Sequence, residues 1–355
     1  MPLIHRDNPR ICLLRLSAIG DVTHAIAVVR SIQTRYPAAK ITWIVGKLEH
    51  KLLDGLPSVE FFVFDKSKGC QGVKAVKRRF AGKPFDVLLH MQVAMRANLL
   101  SRAIPAKLKI GFDKSRSRDF HGLFVNHRIP TVDQQHVLDG FMEFAKAIGV
   151  ETPVFNREIP ISELDLDFAN QHLAPDRPNV IISPCSSHTL RNWNVSGYAR
   201  IADYLVEKHQ AHVLLCGGPS EFEKNMAQKI AEKCQNPVID LTGQDTLKQF
   251  FALAKGADLL ISPDSGPAHI GSAAGTPTIA LHAASNPRRS GPYGYQRLTV
   301  DAYDAAALKY KGKSGAELKW GTKLEYPGAM NLIAEEMVIE KIELWNSEFR
   351  EPPIA

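Results

Sequence analysis

Residues 257–282 read ADLLISPDSGPAHIGSAAGTPTIALH, and this stretch decides the fold. Its two apolar runs, ADLLIS and PTIALH, have the length of buried strands, and the segment between them has the length of a short helix. A strand, a helix and a second strand in this order predict a parallel βαβ unit. Residues 262–270 join the first strand to the helix, at the edge of the sheet where α/β proteins bind ligands.

The same alternation extends outward through the chain. Strands are predicted at 10–16, 41–45, 59–64, 85–91, 179–185, 211–216 and 237–241, in addition to the two above. Helices are predicted at 22–36, 47–55, 71–81, 134–148, 195–209, 220–234, 246–255, 267–274 and 329–347. This rhythm predicts an α/β protein with two successive doubly wound, Rossmann-like halves.

A proline-rich, acidic stretch at 151–177 separates the halves and predicts a linker with one short helix. We therefore expect domains at 1–165 and 166–328, since 355 residues suit two domains. Residues 300–328 predict an irregular basic segment. The C-terminal helix within 329–355 is predicted to pack back toward the first domain.

The chain carries a formal net charge of +7, which favours acidic partners such as nucleic acid, anionic lipid or phosphorylated small molecules. No nucleic-acid-binding module is recognisable, so nucleic acid is not expected. The five cysteines form no C-x-x-C pair, which indicates reduced thiols. Without a signal-peptide pattern or a long apolar run, the sequence predicts a cytoplasmic protein that is soluble or peripheral.

Three predicted strand-to-helix loops carry polar residues. In SAIGDVTHA (17–25), Asp21 either caps the following helix or faces a ligand. After the strand at 179–185, the hydroxyls of Ser186 and Ser187 and the guanidinium of Arg191 suit a diphosphate, although they also suit a polar helix-capping loop.

The third loop is the segment at 262–270. Gly266 and the start of the helix can present free amides to a diphosphate, and Asp264 suits sugar hydroxyls. Ser265 does not lie in a G-x-S-x-G elbow, which disfavours a serine hydrolase. No metal-ligand spacing is present, so neither a metal nor another cofactor is expected.

A basic, loop-like stretch at 107–128 is interleaved with Phe112, Phe120 and Phe124. This composition suits either an anionic acceptor molecule or an anionic membrane surface. A second basic stretch at 74–83 is interpreted as solvated surface.

Taken together, LRLSAIGDVTHA near the start and SPDSGPAHIGSAAGTPTIALHAASNP near the end resemble glycosyltransferase family nine, the ADP-heptose:lipopolysaccharide heptosyltransferases. The resemblance spans nearly the whole chain. The segments QVAMRANLLSRAI and Gln134-Gln135-His136 resemble the first-heptose branch, and so does the tail around residues 319–322. The resemblance implies a GT-B fold, two Rossmann-like domains facing across a cleft, and inverting, metal-independent transfer.

The resemblance also implies roles for individual residues. It makes Asp21 the general base, with ADP-heptose as donor and Kdo-lipid A as acceptor at the cytoplasmic face of an anionic inner membrane. The implied donor-binding residues are Ser186, Ser187, Arg191, Glu221, Asp264, Ser265, Gly266, Pro267, Ala268 and His269. The implied acceptor-binding residues are Gly20, Arg96, Arg118 and His136. The family pattern has Thr-Thr and Lys where this chain has Ser186, Ser187 and Arg191.

Other functions stay open at this point. Another heptose-transfer step is compatible with the same motifs. A nucleotide-sugar epimerase of the same architecture would turn over the donor without a lipid acceptor. A non-catalytic protein would bind nucleotide or anionic lipid without turnover.

Overall fold

A computed structural model describes residues 3–4 and 6–350. The chain divides into two compact units, Met1–Pro160 and Ile161–Ala355. The division falls close to the predicted boundary after residue 165.

The first unit is built on one parallel sheet. Its strands are β1 (Arg10–Leu14), β2 (Lys40–Gly46), β3 (Val59–Phe64), β4 (Phe85–His90), β5 (Ala106–Gly111) and β6 (His127–Arg128), paired in the order β3-β2-β1-β4-β5-β6. Its helices are α1 (Ile19–Arg35), α2 (Lys47–Leu53), α3 (Gly69–Phe80), α4 (Met95–Arg102) and α5 (Val137–Ala147). The central strand β1 is almost fully buried because helices cover both faces of the sheet.

The second unit repeats this plan. Its strands are β7 (Asn179–Ile182), β8 (His212–Leu215), β9 (Ile239–Asp240), β10 (Leu259–Pro263), β11 (Thr278–His282) and β12 (Val300–Asp301), in the order β12-β11-β10-β7-β8-β9. Its helices are α6 (Glu163–His172), α7 (Val195–His209), α8 (Glu221–Lys233), α9 (Leu247–Gly256), α10 (Gly266–Ala274), α11 (Pro287–Ser290), α12 (Tyr303–Lys311) and α13 (Glu335–Glu348). These strands are also parallel.

Both sheets have the strand order of the Rossmann fold. In such a sheet the connections on the two sides of the first strand run in opposite directions, which leaves a crevice at the carboxyl ends of the two central strands. The crevice lies between β1 and β4 in the first unit and between β7 and β10 in the second. The predicted α/β architecture of two doubly wound halves is confirmed.

The sequence pattern missed several elements. Strand β5 is half exposed along AKLKIG, so it lacks the apolar run that marks the other strands. Helix α12 (YDAAALKYK) lies in the segment predicted to be irregular. Its alanines favour a helix by intrinsic propensity, although the amphipathic signal is weak. Cys12, Cys185 and Cys216 are buried, as their apolar surroundings predicted.

The C-terminal helix α13 differs from its prediction. The side chains of Val338, Ile342 and Trp345 belong to the core of the second unit, whereas the sequence was interpreted as placing this helix toward the first domain. The indole Nε1 of Trp345 donates to the Asp258 carbonyl at 2.9 Å. The chain leading into α13 is already anchored in the same core through Leu324 and Met330, which explains the placement.

Replacing Trp345 by Ala is expected to lower the free energy of unfolding by about 3–5 kcal/mol, because a fully buried indole and its hydrogen bond are lost. Urea unfolding followed by circular dichroism measures the change. Leu308→Ala, at a side chain that is 54% exposed, should stay within about 0.5 kcal/mol of the parent. A Trp345 variant as stable as the Leu308 variant would show that α13 contributes little to this core.

None of the helices within the described ranges is long and apolar enough to cross a membrane.

Candidate active site

The crevice of the second unit brings two predicted loops together. Strands β7 and β10 are neighbours, with Ile182 paired to Ile261, so the loops that follow them leave the sheet side by side. The hydroxyl of Ser186, after β7, donates to the main-chain oxygen of Asp264, after β10, at 3.3 Å. Residues predicted from distant parts of the sequence therefore form one site.

Asp264 is the centre of this site and is 6% exposed. Its Oδ2 lies 3.3 Å from Nη1 of Arg191 and 3.5 Å from Nζ of Lys323, and its Oδ1 lies 4.0 Å from Nε2 of His269. Burial alone would raise the pKa of Asp264. Electrostatic interactions with His282, Lys323, His269 and Arg191 outweigh this effect and hold the pKa of Asp264 below its usual range, so the carboxylate stays ionised.

Arg191 is held between two carboxylates. Besides Asp264, it meets Glu325, whose Oε1 accepts from Nε at 2.8 Å and lies 2.6 Å from Nη2. The loop that carries Arg191 is fixed because Asn192 Oδ1 accepts from the Ser186 amide at 2.7 Å. The next residue, Trp193, is buried and donates to the Ile333 carbonyl at 3.1 Å. A guanidinium placed this rigidly is suited to a bidentate anion such as a phosphate.

Lys323 and Glu325 were not predicted from the sequence. They flank Leu324, which is fully buried in the core of the second unit and whose amide donates to the Ala284 carbonyl at 2.8 Å. Leu324 is anchored in the core, whereas Lys323 meets Asp264 and Glu325 meets Arg191, so both charged side chains lie at the site. The Lys-Leu-Glu alternation was the available signal, but it lay in a stretch interpreted as irregular.

Burial lowers the pKa of Lys323, and the Asp264 carboxylate opposes this effect. Its side chain is 32% exposed, against 16% for Arg191. The site therefore contains two cations beside one buried carboxylate, and one of the cations is accessible to a ligand.

The start of α10 completes this half of the site. Ser265 is the N-cap of the helix, but its hydroxyl bonds with that of Ser262 at 2.7 Å and makes no cap bond to the helix amides. Pro267 has no N–H, so its predicted contribution is limited to shaping the first turn. The amides of Gly266, Ala268 and His269 lie in the first turn, where a helix attracts negative charge.

Two of the predicted donor-binding residues, Ser187 and Glu221, are exposed. Ser187 is exposed and lines a cavity of about 180 Å³ together with His188, Thr189, Leu190 and Glu325. Glu221 begins α8, after β8, and its carboxylate is 85% exposed and lies 3.6 Å from Nζ of Lys224. Their roles remain predictions.

The crevice of the first unit contains Asp21, in the first turn of α1. Its Oδ2 accepts from the Ala18 amide at 3.3 Å and forms an ion pair with the guanidinium of Arg15. Arg15 is fixed in turn, since Nη1 donates to the Met91 carbonyl beyond β4 at 2.5 Å and the guanidinium lies 5.1 Å from the Phe141 ring. Asp21 thus acts partly as a cap, yet its side chain remains 30% exposed and is held at a fixed position.

The predicted acceptor-binding residues are distributed around this crevice. Gly20 is buried beside Asp21 in α1. Arg96 is exposed in the first turn of α4, and Arg118 Nε donates to the Val93 carbonyl at 2.9 Å. His136 caps α5 by accepting the Leu138 amide at Nδ1, and its ring lies 5.4 Å from that of His24. His136 is therefore buried with a structural task, which its sequence pattern did not indicate.

Within residues 3–4 and 6–350, no group of three or more His, Cys, Asp and Glu side chains is arranged to hold a metal ion.

Comparison with known proteins agrees with this geometry. The sequence profile of glycosyltransferase family 9 (heptosyltransferase) matches residues 73–320. The lipopolysaccharide core heptosyltransferase OpsX of Haemophilus influenzae is 44% identical over 339 residues, covering 96% of this chain and 97% of that protein.

Solved structures share the fold. The glycosyl transferase family 9 protein from Veillonella parvula superposes with a TM-score of 0.80 at 23% identity, covering 96% of this chain and 98% of that one. The Escherichia coli heptosyltransferase WaaC, solved with ADP, has a TM-score of 0.68 at 19% identity, covering 95% and 99%.

Two Rossmann-like units in one chain, with a buried carboxylate and cations at one crevice, agree with a glycosyltransferase of the GT-B class. The chain belongs to glycosyltransferase family 9, the heptosyltransferases.

Proposed function

We propose that this enzyme transfers heptose from ADP-L-glycero-D-manno-heptose to a Kdo residue of Kdo-lipid A, with inversion at the anomeric carbon. The observation that carries the proposal is the cluster of Arg191, Lys323 and Asp264 beside the first turn of α10. The relative named as a lipopolysaccharide core heptosyltransferase supports the same reaction.

The second unit supplies groups suited to the donor. When the bond from the anomeric carbon to the diphosphate breaks, negative charge grows on the departing ADP. Arg191, Lys323 and the first-turn amides of α10 provide a positive potential for this charge. Because these groups are already in position, no free energy is spent on reorienting them during the reaction. Asp264 remains ionised and is suited to accept hydrogen bonds from sugar hydroxyls.

The first unit supplies the base. In the proposed reaction Asp21 takes the proton from the attacking Kdo hydroxyl. Arg15 holds one carboxylate oxygen, which fixes the orientation of the group. Arg96 and Arg118 are proposed to bind acidic groups of the acceptor. The reaction is proposed to need no metal, because the cations and amides of the site perform the charge stabilisation that a metal gives elsewhere. Since the acceptor is a membrane lipid, the enzyme is proposed to act peripherally at the cytoplasmic face of the inner membrane.

The test is to incubate the purified protein with ADP-heptose and deacylated Kdo-lipid A in the presence of EDTA and to follow the products by mass spectrometry. A mass gain of one heptose with release of ADP is the expected result. Release of ADP with a different core acceptor alone would move the enzyme to another transfer step. Donor turnover without any acceptor would indicate an epimerase, and binding of ADP without product would indicate a non-catalytic protein.

Replacing Lys323 by Ala is expected to raise the donor KM about tenfold, because one charge-assisted contact to the diphosphate is lost. The matched control is Lys319→Ala, an exposed lysine four positions earlier in the same segment. Steady-state kinetics with varied ADP-heptose measure the effect. If both variants behaved like the parent, Lys323 would have no place in the donor site.

A further inference from the structure

Four exposed apolar side chains lie close together on the first unit. The exposed fractions are 39% for Met95, 49% for Leu99, 73% for Phe120 and 82% for Leu123. These four residues are called the apolar patch below. Single exposed apolar side chains are common on protein surfaces, whereas a group of large ones indicates contact with another molecule.

Hydrogen bonds show that the two segments of the apolar patch are neighbours. Met95 and Leu99 are four residues apart on α4 and so share one face of the helix. The Met95 amide donates to Oδ2 of Asp119 at 3.0 Å, which places the loop before Phe120 against the start of α4. At the other end of the helix, the guanidinium of Arg102 lies 5.9 Å from the Phe124 ring.

The loop that carries Phe120 is held outward by a buried polar network. Asn98 of α4 donates to the Asp119 carbonyl at 2.8 Å, and its Oδ1 accepts from His90 at 3.0 Å and from His121 at 2.9 Å. His121 lies in the basic stretch at 107–128, but it is buried and its Nε2 accepts the Phe112 amide. Burial lowers the pKa of His90 to about 3 and that of His121 to about 4, so the network is neutral near pH 7.

The backbone at this point is also unusual. Asp119 and Phe120 have φ values of 54° and 56°, in the left-handed region that residues other than glycine rarely adopt. Such a conformation persists where the surroundings impose it, and it is often associated with function. Here the Asn98 network imposes it and leaves the Phe120 ring in solvent.

Positive charge is concentrated in the segment that carries the apolar patch. Residues 95–128 contain eight Lys and Arg and two Asp, an excess of six, whereas the whole chain has an excess of seven. Arg96, Arg102, Lys107, Lys114, Arg118 and Arg128 are exposed. One of the two acids, Asp113, is buried and paired with Arg116. An apolar centre with a cationic rim matches the interface of an anionic bilayer, where acyl chains lie beneath phosphate headgroups.

We propose that the apolar patch and its basic rim dock the first unit on an anionic lipid bilayer, with Phe120 and Leu123 entering the acyl-chain boundary. The inference rests on the proposed function in that the acceptor is a lipid of such a membrane. A protein partner would match the apolar patch, but it would not account for the net charge of +6 in the segment that carries it.

The test is sedimentation of the full chain with vesicles of phosphatidylcholine, alone or mixed with phosphatidylglycerol, at low and high salt. We expect binding to the mixed vesicles that weakens with salt. Changing Phe120→Ser together with Leu123→Ser should lower the partition coefficient at least about tenfold. Leu164→Ser with Leu308→Ser, at side chains that are 77% and 54% exposed in the second unit, should leave it unchanged.

Three results would overturn the inference: binding that is equal for the two vesicle types, equal losses in the two double variants, or displacement by soluble glycerol phosphate. The last would indicate a site for free phosphate instead of a bilayer surface. Transfer to deacylated acceptor, measured on the same samples, separates the two proposals. Normal transfer without vesicle binding would remove the docking surface alone, and vesicle binding without transfer would remove the proposed reaction alone.

Discussion

Replacement of Asp21 by Asn is expected to lower kcat for heptose transfer by about 10²–10⁴-fold, the usual contribution of a general base. The amide keeps the size of the side chain and an oxygen that can accept the Ala18 amide, but it cannot take a proton. Its contact with Arg15 weakens, because the ion pair becomes a neutral hydrogen bond. The donor KM should change little, since the proposed donor-binding groups lie in the other unit.

Single-turnover mass spectrometry with saturating substrates measures the chemical step in the Asp21 variant. Thermal unfolding of the same preparation checks that the loss of the ion pair has not disrupted α1. An unchanged rate in a folded Asp21→Asn protein would assign the base to another group. A rate loss that saturating acceptor restored would mean that Asp21 binds the acceptor and does not act as base.

Replacement of Arg191 by Ala is expected to lower kcat by about 10²–10³-fold, as the loss of one preorganised charge-stabilising group does in other enzymes. Arg191 is held in place by Asp264 and Glu325, so its position costs nothing at the moment of reaction. Arg191→Lys should recover part of the rate. It keeps the charge but cannot contact both carboxylates through a rigid planar fork.

The variant Glu325→Gln separates the effect of the position of Arg191 from the effect of its charge. It keeps Arg191 and removes the negative partner at 2.6 Å, so the effect should be smaller than that of Arg191→Ala. Each protein is assayed with saturating donor, and ADP binding is measured by calorimetry. If Arg191→Ala weakened ADP binding without any change in kcat, Arg191 would contribute ground-state binding and no stabilisation of the departing group.

Much of the fold could be predicted from the sequence because buried parallel strands appear there as continuous apolar runs. Runs such as ICLL and VII are continuous and apolar, and each is followed by a helix of suitable length. Strand β5 could not be recognised this way because it is half exposed, and helix α12 could not because its amphipathic pattern is weak. The packing of α13 was misjudged because periodicity shows which face is buried but not what covers it.

The site could be predicted where its residues follow central strands. Asp21, Ser186, Arg191 and Asp264 all come soon after a strand that borders a crevice, and the order of elements along the chain shows this. Lys323 and Glu325 could not be placed this way, because they reach the crevice from a segment outside the βα units. The burial of His136 and His121 could not be predicted either, since the sequence does not distinguish a histidine that accepts a main-chain amide from one that binds an anion.

The anchoring of Leu324 between two charged neighbours makes the segment sensitive to the number of its residues more than to their identity. Loss of one residue before Leu324 would pull Leu324 out of the apolar core or move Lys323 away from Asp264, because the segment is anchored at both positions. Across variants of this enzyme, length changes in residues 319–323 should therefore be tolerated poorly.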